Sequence, residues 1–236
     1  MTALAAFEPY GTSHLVVLAV IVGGVVPVAL LGRRVAGAAG ELWLCRGFAL
    51  AIPAVTIPLQ VVDFLPGNFG LHSTLPLHLC DLAWVAAAWA LWTRHPAAVA
   101  LTYYWGLLLT PQAILTPTLD HDFPDPKFLA YWGMHLLIVY AAVFLTWGLR
   151  IRPSWRGYRV TVAVTAAWAV AVYAFNVVVG TNYGYLNHKP GTATLLDVLG
   201  PWPWYVVAEI CLIAAAWAAM TWPWTRREPA DSRVGY

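Results

Sequence analysis

The sequence predicts an all-α, polytopic membrane protein in which residues 1–236 form a single seven-transmembrane-helix bundle. Its composition is the first reason: 61% of the residues are hydrophobic and 10% are charged, whereas a soluble domain carries about a quarter charged residues. The second reason is the hydropathy pattern, because each apolar stretch is close to the roughly 20 residues that a helix needs to cross about 30 Å of hydrocarbon. These stretches span residues 13–31, 43–65, 74–92, 97–116, 128–149, 158–180 and 201–224.

Local features support these helices in chain order. No basic region precedes residues 13–31 and no cleavage site stands out, which favours a retained helix over a signal peptide. The third stretch opens with Leu75-Pro76-Leu77, and proline suits the first turn of a helix. The fifth stretch enters at Phe128. The loop from Gly180 to Gly200, between the last two stretches, is polar and aromatic, as lids are.

The basic residues predict how the bundle is oriented. Cytoplasmic loops of membrane proteins are enriched in Lys and Arg. Only Lys127 and Lys189 fall on the side of the N-terminus. We therefore expect the N-terminus outside and the C-terminus in the cytoplasm. The opposite side carries Arg33, Arg34, Arg46, Arg94, Arg150, Arg152, Arg156, Arg159, Arg226, Arg227 and Arg233.

Polar residues within the helices concentrate in the predicted outer half, and the inner half is almost free of polar side chains beyond Ser and Thr. Polar groups are costly in a bilayer, so their convergence at one level favours a functional site over scattered helix-to-helix hydrogen bonds. The residues that converge are His14, Gln60, Asp63, His78, Cys80, Asp81, Gln112, His135, Asn176 and Glu209.

Cys80 is the candidate nucleophile of this site. A cysteine attacks as its thiolate, and a neighbouring imidazole assists its deprotonation. Both Cys80 and His135 lie about 9–10 Å below the outer ends of their predicted helices, so His135 is the candidate base if helices three and five are neighbours. His78 shares a face with Asp81, and Asp81 or Asp63 is expected to orient an imidazole.

Plainer interpretations of the same residues stay open. A cysteine in a membrane helix is more often a packing residue, and an intramembrane histidine is more often structural than catalytic. The Gln and Asn side chains are able to join helices without binding anything. A zinc-like set of His78, Asp81, His135 and Glu209 lacks a compact ligand motif, so no metal and no cofactor is expected. Cys80 and Cys211 share the outer half, which permits a disulfide that neither position favours.

Several segments that together span almost the whole chain carry a family resemblance. They are Leu75-Pro76-Leu77-His78-Leu79-Cys80-Asp81, Pro111-Gln112, Tyr131-Trp132-Gly133-Met134-His135, Gly180-Thr181-Asn182-Tyr183-Gly184-Tyr185-Leu186, Lys189-Pro190, Leu195-Leu196-Asp197 and Gly200-Pro201-Trp202-Pro203-Trp204-Tyr205. With these segments the chain resembles the YwaF-type integral membrane proteins of bacteria.

That family is related to an animal transmembrane acyltransferase that carries an acyl chain on a cysteine to lysophospholipids, including ether lipids. It has a more distant likeness to androgen-induced membrane hydrolases of lipid esters. The resemblance implies that Cys80 accepts the acyl group and that His135 is the base. It also implies a bacterial cytoplasmic membrane as the location.

The predicted function is therefore a lipid acyltransferase or lipid-ester hydrolase with a cysteine thioester intermediate. Phospholipid and lysophospholipid are the expected partners; nucleic acid is not, and a homo-oligomer is possible but not predicted. The substrate and oxyanion pocket is expected to contain Gln60, Gln112, Asn176, Asn182, Tyr183 and Glu209.

Two other functions remain as alternatives. Seven helices and the Pro111-Gln112 pair are shared with PQ-loop carriers of small solutes, although the pair lies here in the fourth helix. The polar lid over a pocket also fits a lipid-binding protein without turnover.

Overall fold

The computed structural model describes residues 6–191 and 195–226, and within this part of the chain the fold is all-α. Seven helices are present, and six of them are long and apolar enough to cross a membrane. The all-α class and the number of helices agree with the prediction, but six candidate membrane spans replace the seven transmembrane helices that were expected. An isolated bridge between Ala6 and His121 is the one β-type pairing among the described residues. The helices are α1 Thr12–Val35, α2 Glu41–Asp63, α3 Leu79–Thr93, α4 Pro96–Leu115, α5 Pro126–Gly148, α6 Trp155–Val179 and α7 Trp204–Thr225.

Local chemistry explains where several helices begin and end. The Asp125 side chain accepts a hydrogen bond from the Lys127 N–H and caps α5. Ser154 caps α6 in the same way, by accepting from the N–H of Gly157. Gly180 ends α6 in a left-handed conformation with φ 80°, which glycine adopts without steric cost.

The predicted start of the third helix at residue 74 was wrong. The helix begins at Leu79, and Pro76 lies in the irregular segment before it, not in its first turn. His78 is extended at φ −70° and ψ 152°, and its backbone N–H donates to the Asp81 carboxylate at 2.9 Å. A carboxylate three residues into a helix binds this N–H only when the helix starts just after His78.

Because α3 starts late, it is too short to cross the bilayer. Its 15 residues extend about 22 Å, whereas the 23 residues of α2 extend about 34 Å. An ion pair between Arg94 and Glu41 holds the end of α3 level with the start of α2. The first residue of α3 therefore lies about 12 Å inside the bundle. Irregular backbone at such a depth is tolerated where it is buried in protein or lines a cavity.

The central helices of the bundle are α4 and α5. In each of them 61% of the most apolar window is buried, compared with 11% to 22% for α1, α2, α6 and α7. The α5 helix packs against α1, α2, α3 and α4, whereas α7 packs against α6 and against the short turn Leu195–Leu199. The outer faces of α1, α6 and α7 present exposed aliphatic side chains, as helices in contact with lipid do.

The half of the bundle at which α1 ends and α2 begins is closely packed. The hydroxyls of Tyr104 and Thr221 form a hydrogen bond of 2.7 Å, and the indole of Trp217 donates to the Tyr104 carbonyl. The sequence analysis missed this aromatic network, because it considered tyrosine and tryptophan only as apolar or interfacial residues. The network connects α4 to α7 at the opposite end of the molecule from the predicted site.

The same packed half contains a backbone-to-backbone contact between α1 and α5. A Cβ atom placed on Gly32 would lie 2.5 Å from the Cα of Gly148, which is far inside van der Waals contact. Gly148 ends a π-helical turn, Phe144–Gly148, that widens α5 at this crossing. The close approach therefore requires glycine in both helices.

We expect Gly32→Ala to lower the free energy of unfolding by about 1–3 kcal/mol, because the added methyl group separates two backbones that cannot move independently. Gly23→Ala is the matched control: it is on the same helix, and a Cβ there meets no atom within 4 Å. Thermal unfolding of both variants in detergent measures the difference. Equal midpoints for the two variants would contradict the close contact.

Candidate active site

A cavity of about 630 Å³ lies in the half of the bundle where α1 begins and α2 ends, called here the N-terminal side. Six helices, α2 to α7, and the three loops before α3, α5 and α7 contribute to its lining. The sequence prediction that polar groups converge in this half is met by the geometry. The predicted site residues that line the cavity are Gln60, Asp63, His78, Cys80, Asp81, Gln112, His135 and Glu209.

Cys80 is the second residue of α3 and lines the cavity. Cys80 lies deep in the bundle because α3 itself starts inside the bundle. The prediction had instead placed Cys80 several residues along a longer helix. The Asp81 N–H donates to the His78 carbonyl at 3.0 Å, whereas the N–H groups of Leu79 and Cys80 have no backbone acceptor among the described residues. These amides and the positive end of the helix dipole favour negative charge at this position.

His78 and Asp81, which flank Cys80, form hydrogen bonds that involve backbone N–H groups. His78 and Asp81 share a face and are hydrogen-bonded, and the bond runs from the backbone N–H of His78 to the Asp81 carboxylate. The His78 ring lies edge-on to Tyr183 at 5.2 Å, and its Nδ1 accepts a long bond of 3.4 Å from the Gly184 N–H. Asp63 lines the cavity where α2 ends, and no described residue forms a hydrogen bond with its carboxylate.

His135 is fully buried in α5 and lines the cavity. Its Nδ1 lies 2.7 Å from the carbonyl oxygen of Tyr131. A carbonyl only accepts hydrogen bonds, so Nδ1 carries the proton and Nε2 carries the lone pair. No described residue bonds to that Nε2. Because α3 packs against α5, the condition for pairing His135 with Cys80 is met.

Tyr131 lines the same cavity as Cys80 and His135, and it was not among the predicted site residues. Its ring stacks on His135 with centroids 4.2 Å apart, and its hydroxyl donates to the Ala113 carbonyl at 2.8 Å. The available signal was the spacing of four residues between Tyr131 and His135, which places both on one helix face.

The other lining residues from the predicted pocket differ in whether their side chains form hydrogen bonds within the protein. The side-chain amide of Gln60 donates to the Thr74 carbonyl at 2.8 Å and holds the loop before α3. Gln112 and Glu209 line the cavity from α4 and α7, and their side chains have no hydrogen bond to any described residue. These two are therefore the polar side chains of the predicted pocket that remain available to a ligand.

Asn176, Asn182 and Tyr183 do not line the cavity, contrary to the prediction. The Asn176 side chain accepts from Thr181 and from the Tyr183 N–H, and it donates to the Tyr183 carbonyl. Asn182 bonds to His188 within the same loop. Their amides are committed to loop structure, so they are not available to a reacting carbonyl oxygen.

The loop after α6 covers the cavity, as expected for a lid. Gly184, Tyr185 and Leu186 are part of the lining. Gly184 has φ 67°, and a Cβ there would lie 2.6 Å from the Trp168 ring, so glycine is required both for its conformation and for the close approach. The Trp168 indole in turn donates to the Leu77 carbonyl at 3.0 Å. The lid, α6 and the approach to α3 are thereby held together.

Metal and disulfide chemistry find no support in the described residues. No three His, Cys, Asp or Glu residues among residues 6–191 and 195–226 are grouped to hold a metal ion, so the zinc-like set is not assembled. Cys45, Cys80 and Cys211 are free thiols, and Cys211 is exposed on α7. The Cys80–Cys211 bridge therefore does not form.

Comparison with known proteins gives one match. Residues 9–221 match the model of the TMEM164 family, a membrane protein family. No curated protein and no solved structure matches the chain.

We expect Tyr183→Phe to loosen the approach to α3. The Tyr183 hydroxyl donates to the Leu71 carbonyl and accepts from the Leu75 N–H, so its removal leaves both groups unpaired. Amide hydrogen exchange over residues 71–78 should become roughly tenfold faster for a loss of about 1–3 kcal/mol. Tyr173→Phe, a change at an exposed position of α6, is the control and should leave that exchange unaltered.

Proposed function

This chain belongs to the TMEM164 family, and on that premise we propose that it is a membrane-embedded lipid acyltransferase or lipid-ester hydrolase in which Cys80 carries the acyl group. The observation that supports this most directly is the state of His135. Its Nδ1–H is bound to a carbonyl, and its basic Nε2 has no partner in a cavity that it shares with Cys80. A buried imidazole of this kind is suited to accept a proton.

The proposed reaction has two balanced steps. The Cys80 sulfur attacks the ester carbonyl of a phospholipid while Nε2 of His135 takes the thiol proton. The tetrahedral intermediate collapses, the carbon–oxygen bond breaks, and the leaving lysolipid oxygen takes that proton back. An acceptor hydroxyl, or water, then gives a proton to Nε2 and attacks the thioester. The carbon–sulfur bond breaks, and the departing Cys80 sulfur takes the proton back from Nε2, which releases the acyl product and restores the thiol.

Oxyanion stabilisation is assigned to the first turn of α3. The backbone amides at the start of a helix have no partner within that helix, and they point along its axis toward the cavity. A carbonyl carbon bound to the Cys80 sulfur brings its oxygen close to this positive end, where developing negative charge is stabilised. Of the predicted side-chain donors, Gln112 remains free to assist, whereas Asn176 and Asn182 are occupied.

The Tyr131 carbonyl takes the part that the sequence analysis assigned to Asp81 or Asp63. A third group in a catalytic triad fixes the tautomer and orientation of the imidazole. Here a backbone carbonyl does so without adding a negative charge to the membrane interior.

The shape of the bundle favours lipid chemistry over solute carriage. A carrier opens alternately to both sides, yet the half opposite the cavity contains the direct Gly32–Gly148 backbone contact and the aromatic network around Tyr104. A lipid-binding protein without turnover predicts instead that Cys80 can be replaced without consequence. The catalytic experiment below separates that alternative from the enzyme.

We also propose that the cavity faces the outside of a bacterial cytoplasmic membrane. The proposal rests on the basic residues, which concentrate at the end of the bundle opposite the cavity. In this orientation the acyl donor comes from the outer leaflet.

For the catalytic prediction, the purified protein in lipid is incubated with a phospholipid that carries a tagged acyl chain. We expect hydroxylamine-sensitive label on the intact protein, its loss in Cys80→Ser, and labelling roughly 10²- to 10⁴-fold slower in His135→Ala. Intact-mass spectrometry over a time course measures both. Cys211→Ser and His95→Ala, which alter residues outside the cavity, should be labelled as the wild type is. Unlabelled wild-type protein that binds lipid normally would favour the non-catalytic alternative.

For the orientation, a fluorescent protein that folds only in the cytoplasm is fused to the C-terminus, and a periplasmic reporter enzyme is fused to the same site in a second strain. We expect fluorescence and no periplasmic reporter activity, because the basic loops are retained on the cytoplasmic side. The opposite pair of results would reverse the assigned orientation.

A further inference from the structure

The cavity reaches the surface of the protein at two chemically different places. The first is a polar mouth at the membrane surface, where exposed Asn68, Ser73, Thr118 and Lys127 contribute to the lining. The second is on the side of the bundle. Ile210, in the first half of α7, lines the cavity and yet is 56% exposed. The other lining residues within the spans, away from the helix ends, are buried or half-buried.

The packing of α7 explains the lateral opening. Within the described residues, α7 packs against α6, the turn Leu195–Leu199 and the Trp105–Leu109 segment of α4, and it makes at most sparse contact with α2, α3 and α5. Toward the N-terminal end of α7, therefore, no helix of the described part of the chain packs closely against one of its flanks. Ile210 lies at that edge, with Glu209 on the cavity side and exposed Val207 on the lipid side.

The two openings match the two ends of a phospholipid. What faces Ile210 from outside is the hydrocarbon of the bilayer, and the lining behind it includes the apolar side chains of Leu109, Met134 and Ile213. Lys127 is the one cationic side chain in the lining, and its ammonium forms no ion pair or hydrogen bond with the described residues. Ile210 is seven residues into α7, so the side opening lies about 10 Å below the mouth.

We propose that this lateral opening is the entry for a phospholipid acyl chain from the leaflet on the N-terminal side. The chain passes Ile210 into the apolar part of the cavity, and the phosphate stays at the mouth beside Lys127. The proposal rests on the proposed function for the fate of the chain, but it concerns binding alone. It therefore holds or fails independently of the thioester chemistry.

The test uses the full-length Cys80→Ser protein in phosphatidylcholine vesicles that contain a phosphatidylcholine with a photoactivatable diazirine in its acyl chain. After irradiation, peptide mass spectrometry locates the cross-links. We expect cross-links to the cavity side of α4, α5 and α7, and Ile210→Trp should reduce them about tenfold by filling the opening. Leu212→Trp is the matched control, since Leu212 is equally exposed on the same helix but does not line the cavity.

The outcomes are distinct. Cavity cross-links that persist in Ile210→Trp, or that fall equally in Leu212→Trp, overturn the lateral entry. Ile210→Ala removes bulk without risk to folding and should keep or increase the cross-links; their loss would also overturn it. If cross-linking follows the expectation but wild-type protein never forms a thioester, the entry stands and the catalytic proposal falls.

Lys127→Met tests the headgroup contact, because it keeps the length of the side chain and removes the charge. It should lower cavity cross-linking by the photoactivatable phospholipid several-fold. Cross-linking by a photoactivatable fatty alcohol, which has no phosphate, should stay unchanged. An equal loss with both probes would contradict a phosphate contact at this lysine.

Discussion

The start of α3 inside the bundle is the feature on which the rest of the site depends. Backbone polar groups cannot be left unpaired in hydrocarbon, so the irregular segment before Leu79 requires partners from other parts of the chain. It obtains them from side chains of α2, α6 and the lid: Gln60 bonds to Thr74, Trp168 to Leu77 and Tyr183 to Leu71. Asp81 completes the arrangement by capping the helix. The cavity above Cys80 is the space that this missing length of helix leaves.

The two halves of the bundle differ in packing: one is closely packed, and the other contains the cavity. In one half, small residues allow backbones to meet, as Gly32 and Gly148 do, and hydroxyls satisfy each other across helices. The other half keeps a polar cavity open, and its walls hold groups without partners, including Nε2 of His135 and the Glu209 carboxylate. Unpaired polar groups in a low-dielectric interior are costly, and the tightly packed half offsets part of that cost.

Hydropathy predicted the helices well where a helix spans the membrane, because such a helix requires about 20 consecutive, predominantly apolar residues, and this is visible in the local sequence. It failed at α3, where residues 74–78 precede the helix as an irregular segment held by hydrogen bonds from other parts of the chain. The same distinction applies to the site. Cys80, His135 and Glu209 line the cavity, whereas the amides of Asn176 and Asn182 form hydrogen bonds within the lid.

By itself, the sequence determined the membrane class, the number of helices and the half of the bundle in which polar groups converge. These properties follow from composition and periodicity, which are local. Only the tertiary structure decided which polar groups are satisfied: that a carbonyl orients His135, that Asp81 caps a helix, and that α7 leaves one flank of the cavity open. The reason is that hydrogen-bond partners and helix gaps depend on contacts between residues far apart in the chain, which no local pattern encodes.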